Sequence, residues 1–204
     1  MLWEKDGSVI DLGSLGGTAN PALLGVGNSA FAINNKTQVA GVSALSGNTA
    51  AHAFLWTRET GMRGLGTLPR DVNTAGLGIN DQGEVVGPSA DPDGNLRAYL
   101  WKDGVMTDLN TLIPDSSPLF LLLASTINSR GEIGGFGVQK SAPYEIHAFL
   151  LAPSQDPPDR RLASAVSPDR SREGGALTLP ENIRALIRQR LSYGRLGVRL
   201  MEPR

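Results

Sequence analysis

One string of residues recurs three times along this chain. Ile33-Asn34-Asn35-Lys36-Thr37-Gln38-Val39-Ala40-Gly41 returns as Ile79-Asn80-Asp81-Gln82-Gly83-Glu84-Val85-Val86-Gly87, and again as Ile127-Asn128-Ser129-Arg130-Gly131-Glu132-Ile133-Gly134-Gly135. The spacings of the Asn residues, 46 and then 48, set a period that belongs to stacked or radially arranged supersecondary units. Arrays of this kind are scaffolds, and any chemistry they perform sits on the loops grafted to them.

Each period reads as short strands joined by turns. Segments 9–15, 62–68 and 106–112 alternate apolar and polar residues as half-buried strands do. Asp81-Gln82-Gly83 reads as a three-residue hairpin loop with Gly in the left-handed position. Asp91-Pro92-Asp93-Gly94-Asn95 supplies a second turn. The next strand is His52-Ala53-Phe54-Leu55-Trp56, echoed by Arg97-Ala98-Tyr99-Leu100-Trp101 and His147-Ala148-Phe149-Leu150-Leu151. Four short antiparallel strands per ~46 residues is the spacing of a β-propeller blade. A repeated helical hairpin, the rival for this period, fails because no segment before residue 178 keeps a 3.6-residue apolar spacing. The expected fold is all-β, a propeller-like array of about three four-stranded antiparallel repeats over residues 1–153.

The composition fits. Gly (25) and Pro (13) are frequent, as strand punctuation requires, and a net charge of −1 with 19% charged residues suits a globular chain. There is no Cys, which removes disulfides, thiolate metal ligands and cysteine nucleophiles together. No stretch approaches the ~20 apolar residues of a membrane span; the run 119–124 is far too short. The N-terminus lacks the features of a signal peptide.

The words "apolar-Asn-x-x-Gly-x-Val-x-Gly", "His-Ala-Phe-Leu-Trp" and "Asp-Leu-Gly-Thr-Leu", in fixed order over about residues 2–153, resemble the HAF repeat family. That resemblance implies a β-propeller-like bacterial protein, extracellular or periplasmic, with no established activity, catalytic residue or cofactor. Its expected role is a non-enzymatic binding or structural scaffold for an unknown protein or polysaccharide. Three features depart from the pattern. Thr37 stands where the other repeats have Gly83 and Gly131, and a β-branched residue resists positive φ, so strain or a different turn is expected there. Leu151 replaces the repeated Trp, and the export signal is missing.

The array reads as incomplete. Leu2-Trp3 matches the end of a His-Ala-Phe-Leu-Trp strand whose beginning is absent. Propellers need at least ~4 blades to close, and three would leave open edges. The chain is then the C-terminal fragment of a longer repeat protein with no independent role, or half of a homodimer that completes the array, or an open curved stack. The first is the expectation, because arrays lose their cap when cut.

Beyond the array, residues 154–177 are rich in Pro, Ser, Asp and Arg and read as a disordered linker. Residues 178–204 read as a basic amphipathic helix and tail. Thr178 and Glu181 form a capping box, Ile183, Leu186, Ile187 and Leu191 share one face, Arg184 and Arg188 lie away from it, and Gly194 is the stop. Residues 154–204 carry ten Arg against six acidic residues, and residues 1–153 nine basic against fourteen acidic. The helix is therefore expected to dock on its own acidic array, with a partner or membrane surface as the rival. Nucleic acid is not expected as a partner, because Tyr193 is the only aromatic residue among these arginines.

Candidate site residues are few. His52, Arg97 and His147 occupy one repeat slot and could form a ring of polar groups for binding; the plainer reading is a side chain that bonds a neighbouring repeat. One His per repeat cannot supply a zinc site. Asn34, Asn80 and Asn128 read as turn-makers. Asp91-x-Asp93-Gly94-Asn95 brushes against a calcium loop but lacks its twelfth-position Glu, so no metal is expected. Asn35-Lys36-Thr37 matches a glycosylation sequon by pattern. No nucleophile elbow, phosphate loop or zinc-protease string occurs. A propeller enzyme acting on carbohydrate, the rival function, would need converging carboxylates, and only Glu132 and Glu145 offer a pair. The loops 15–33, 68–79 and 112–127 differ most between repeats, and variable loops are where recognition sits. The last contains the apolar run 118–123, either packed core or an exposed contact surface.

Overall fold

A computed structural model describes residues 1–18, 28–153 and 177–194. These residues are predominantly β, and among them four antiparallel sheets form, none of which closes on itself. An N-terminal pair joins β1 (Leu2–Trp3) to β2 (Val9–Ile10). The first full sheet runs β3 (Ser29–Ile33), β4 (Val39–Ala44), β5 (Ala51–Thr57) and β6 (Gly61–Gly64) in sequence order. The middle sheet holds β7 (Asn73–Thr74) and β8 (Gly78–Ile79), both paired to β9 (Val85–Ala90), then β10 (Leu96–Lys102) and β11 (Val105–Asp108). The third comprises β12 (Leu119–Ile127), β13 (Ile133–Gln139) and β14 (Ile146–Leu151). The repeated words thus mark repeated sheets.

The recurring Gly of each repeat has a steric cause. A Cβ at Gly41 would lie 2.1 Å from the Ser29 carbonyl oxygen, at Gly87 1.8 Å from that of Ala75, and at Gly135 2.1 Å from that of Leu123. In each sheet neighbouring backbone presses onto this position, from β3 and β12 beside register shifts in the first and third sheets, and from the segment between β7 and β8 in the middle one. The cross-strand partner is always aromatic: Phe54 opposite Gly41, Tyr99 opposite Gly87 and Phe149 opposite Gly135. A ring covers the bare glycine, so the Val-x-Gly and His-Ala-Phe words are two halves of one packing unit.

The turn after each repeated Asn is the expected three-residue loop. The amide N–H of Thr37, Gly83 and Gly131 donates to the carbonyl of Asn34, Asn80 and Asn128 at 3.1, 3.0 and 3.0 Å. Thr37 adopts φ +58°, the same left-handed turn as Gly83 and Gly131 at +78° and +76°. Of the two outcomes expected for Thr37, strain in an unchanged turn is the one observed.

Other segments differ from their sequence reading. Strand 106–112 stops at Asp108, whose carboxylate accepts from the Asn110 amide at 2.9 Å and turns the chain into a 3-10 turn over Leu109–Thr111. Leu109 is thereby driven fully into the core. Strands 9–15 and 62–68 are likewise short, ending at Ile10 and Gly64. Of the apolar run 118–123, Leu121, Leu122 and Leu123 are packed core, at most 2% exposed within β12, while Leu119 and Phe120 are partly buried and Pro118 is exposed.

Successive sheets share cores. Val39, Phe54 and Trp56 pack with Leu2, Ile10 and Leu12 of the N-terminal segment. Ala40 and Leu55 of the first sheet meet Ile79, Val85 and Trp101 of the middle one. Val86, Ala98 and Leu100 meet Leu121, Ile127, Ile133 and Phe149 of the third. The largest cluster draws on all three full sheets and on the C-terminal segment, where Leu179 and Ile187 are 3% and 4% exposed.

The helix α1 (Glu181–Gly194) therefore docks on the array. Its first intrahelical bonds, from Ile183 and Arg184, run to the Pro180 carbonyl, so it starts two residues later than a Thr178 cap requires. Ile183 and Ile187 face the array, Leu186 remains 39% exposed, and Arg184 donates to the Asp93 carbonyl at 3.2 Å. Leu186 is thus off the buried face and Arg184 on its rim, the reverse of the sequence reading. The side chains of Arg188 and Leu191, and the linker 154–176, lie outside the described residues.

Candidate functional site

Two ends of the array differ in kind. At one end the Asn turns stack. The Asn34 side-chain amide donates to the Asn80 carbonyl at 2.8 Å, and the Asn80 amide donates to the Asn128 carbonyl at 3.3 Å. Each Asn side-chain oxygen also accepts two amides of its own turn: Lys36 and Gln38, Gln82 and Glu84, Arg130 and Glu132. The Asn side-chain amides also donate to the side chain four places on, that of Gln38, Glu84 and Glu132. Burial raises the Glu84 carboxyl pKa, but hydrogen bonds from Lys102 and Asn80 outweigh it and leave it lowered. This end is a uniform ladder that spends its polar groups on holding repeats together.

The opposite end carries the loops that vary. Gly17 and Thr18 bond Ala44 and Asn48, Val72 bonds Ala90, and Lys140 bonds Pro118, so the described part of each inter-repeat loop lies beside the second turn of its own sheet. Helix α1 reaches this end through Arg184 and Asp93. His52, Arg97 and His147 sit on the strands that rise from these second turns, opposite Ser43, Ser89 and Gly137.

The three residues of that slot do different things. Arg97 is 3% exposed; its guanidinium bonds Asp71 at 2.8 Å, Asp108 at 3.2 Å and the Pro69 carbonyl at 2.8 Å. It ties the loop before the middle sheet to β10 and β11, a structural task. His52 is half-buried, and desolvation lowers its pKa, which favours the neutral ring. His147 is partly exposed beside Gln139 at 3.3 Å and Glu145 at 3.5 Å. Of the slot, His147 is the member that lies open with polar neighbours at the loop end.

Other candidates resolve into turn chemistry. The Asp91 carboxylate accepts from the amides of Asp93 and Asn95 and from the Asn95 side chain, so its oxygens build a turn. Among the described residues no group of three or more His, Asp or Glu side chains could hold a metal ion. Asn35 is exposed, but its side-chain amide donates to Asp81 at 2.8 Å, an interaction that also lowers the Asp81 pKa. Glu132 and Glu145 lie at opposite ends of β13 and do not converge.

Sequence reasoning missed Asp71 and Asp108 as partners of Arg97, because nothing local marks residues 26 and 11 positions away as one ion cluster. It also missed the ladder, although three Asn in one slot were its visible sign. The fold and this division of ends define a β-repeat protein of serially packed antiparallel sheets. No family model, no curated protein and no solved structure matches the chain. No helix among the described residues is long and apolar enough to cross a membrane.

Proposed function

We propose that the chain is a non-enzymatic, propeller-like scaffold of the extracellular HAF-repeat kind, presenting its loop-bearing end to a protein or polysaccharide partner. The asymmetry between the two ends carries this reading. The turn end repeats one bonding pattern, whereas the loop end differs in length and chemistry from repeat to repeat and exposes His147, Glu145 and Lys140. The repeated polar residues support a structural role for each unit, since Arg97 and the Asn ladder bind the fold to itself.

The test is retention of the purified chain on immobilised polysaccharides and cell-surface proteins, with release of reducing sugar ends followed in the same samples. Retention lost in His147→Ala with Lys140→Glu, and kept in Lys36→Glu at the turn end, supports the proposal. Reducing ends released by the chain, or retention lost only at the turn end, overturns it.

A further inference from the structure

We propose that β14 of one chain receives β2 of a second copy as its fourth strand, joining two arrays head to tail. In the first and middle sheets the third strand has a neighbour on each side: β5 lies between β4 and β6, and β10 between β9 and β11. Among the described residues β14 pairs with β13 alone, which leaves an open strand edge, a template for another strand.

The N-terminal pair supplies the missing piece. Its register, Leu2 opposite Ile10 and Trp3 opposite Val9, repeats Leu55 opposite Arg63 and Trp56 opposite Met62, and Leu100 opposite Thr107 and Trp101 opposite Met106. β2 is therefore the equivalent of β6 and β11, held by a partner strand of two residues. Leu150 and Leu151 occupy the slots of Leu2 and Trp3, so β14 displaces β1 and sets Leu150 opposite Ile10 of the second copy.

The exposed apolar residues fit the same joint. Leu55 and Leu100 are covered by the following sheet, but Leu150 is 71% exposed. Ala53 and Ala98 are fully buried, whereas Ala148 is exposed. At the other end of the array, Ile79 and Ile127 are 8% and 7% exposed against 58% for Ile33. Joining the ends seats Ile33 on Leu150 and Gly134, as Ile79 sits with Leu55 and Ala40. It also lets the Asn128 amide meet the Asn34 carbonyl, continuing the ladder. The occupant is a second copy because this interface already exists twice within one chain. The association does not depend on what the loop end binds.

The absence of Cys makes the joint testable by cross-linking. Leu150→Cys and Ile10→Cys are made in separate chains, mixed and oxidised; facing residues of paired strands lie within disulfide reach. The expected product is a disulfide-linked species of twice the 21.5 kDa chain mass, formed in the mixture and not by either variant alone. In parallel, light scattering of the unaltered chain should give the two-chain mass, and Leu150→Arg should return it to one chain. A mixture no more cross-linked than the single variants, an unaltered chain monomeric at every concentration, or a dimer that survives Leu150→Arg overturns the proposal.

Discussion

The side-chain amide of Asn34 donates to the backbone carbonyl of Asn80 at 2.8 Å, joining two turns 46 residues apart in sequence. Asn80 repeats the bond to Asn128 and, unlike the other two, lies between repeats at 3% exposure. Asn80→Ala strands two turn amides, Glu84 and the Asn128 carbonyl together. At about 1 kcal/mol for each of these four buried or part-buried bonds it should cost about 4 kcal/mol, whereas the three bonds lost in Asn128→Ala are exposed, are replaced by water and should cost about 1 kcal/mol in all. Urea unfolding of the two variants measures the difference; equal losses would remove the ladder as a joint between repeats.

Thr37 holds a left-handed conformation that two of the three repeats assign to Gly. Thr37→Gly should stabilise the chain by about 0.5–1 kcal/mol, the relieved strain being partly offset by a freer unfolded chain. A lower melting temperature would mean that the Thr side chain contributes more than its backbone strain costs.

Gly87 has no room for a methyl group, because the obstruction is the Ala75 carbonyl and not a flexible side chain. Gly87→Ala should cost about 3 kcal/mol or more, as overpacking against backbone does. Gly94→Ala, with open space around its Cβ position but φ +80°, should cost about 1 kcal/mol. Thermal unfolding ranks the pair, and similar losses would refute the steric account of the repeated glycine.

Arg97 is the cation between two enclosed carboxylates, Asp71 and Asp108. Arg97→Ala should destabilise by about 3–5 kcal/mol because it leaves buried negative charge uncompensated. Arg97→Lys should recover only part of this, since an ammonium cannot reproduce the fork that reaches both carboxylates and the Pro69 carbonyl. Full recovery in Lys, read by denaturant midpoint, would show that charge alone suffices.

His52 gives the fold a pH dependence of known sign. Burial lowers its folded pKa below the unfolded value, so the unfolded chain binds the proton more readily. Its stabilising contribution is complete above about pH 6.5 and is lost as pH falls from there through the folded pKa. His52→Gln should flatten stability against pH over that window; an unchanged slope would assign the dependence to another group.

Much of the sheet framework was legible because its signals are local. The Asn-x-x-Gly turn fixes its own hairpin within five residues, and the aromatic opposite each Gly lies one hairpin away. The same local reading overextended strand 106–112, because the Asp108 carboxylate competes with the strand ladder for the Asn110 amide. For α1, periodicity found the helix but misassigned Leu186 and Arg184, since which residues of a helical stripe are buried depends on the surface it meets. The slot shared by His52, Arg97 and His147 was visible as a pattern, yet its three members have three different environments.

The sequence by itself determined the repeat and the hairpins after each repeated Asn, because backbone dihedrals and short-range hydrogen bonds are set within a few residues. Tertiary structure alone decided which repeated groups bind other repeats and which face solvent. Arg97 finds Asp71, Asn34 finds Asn80, and Ile33 stays exposed where Ile79 is covered, because those outcomes depend on what the neighbouring sheet brings across the gap.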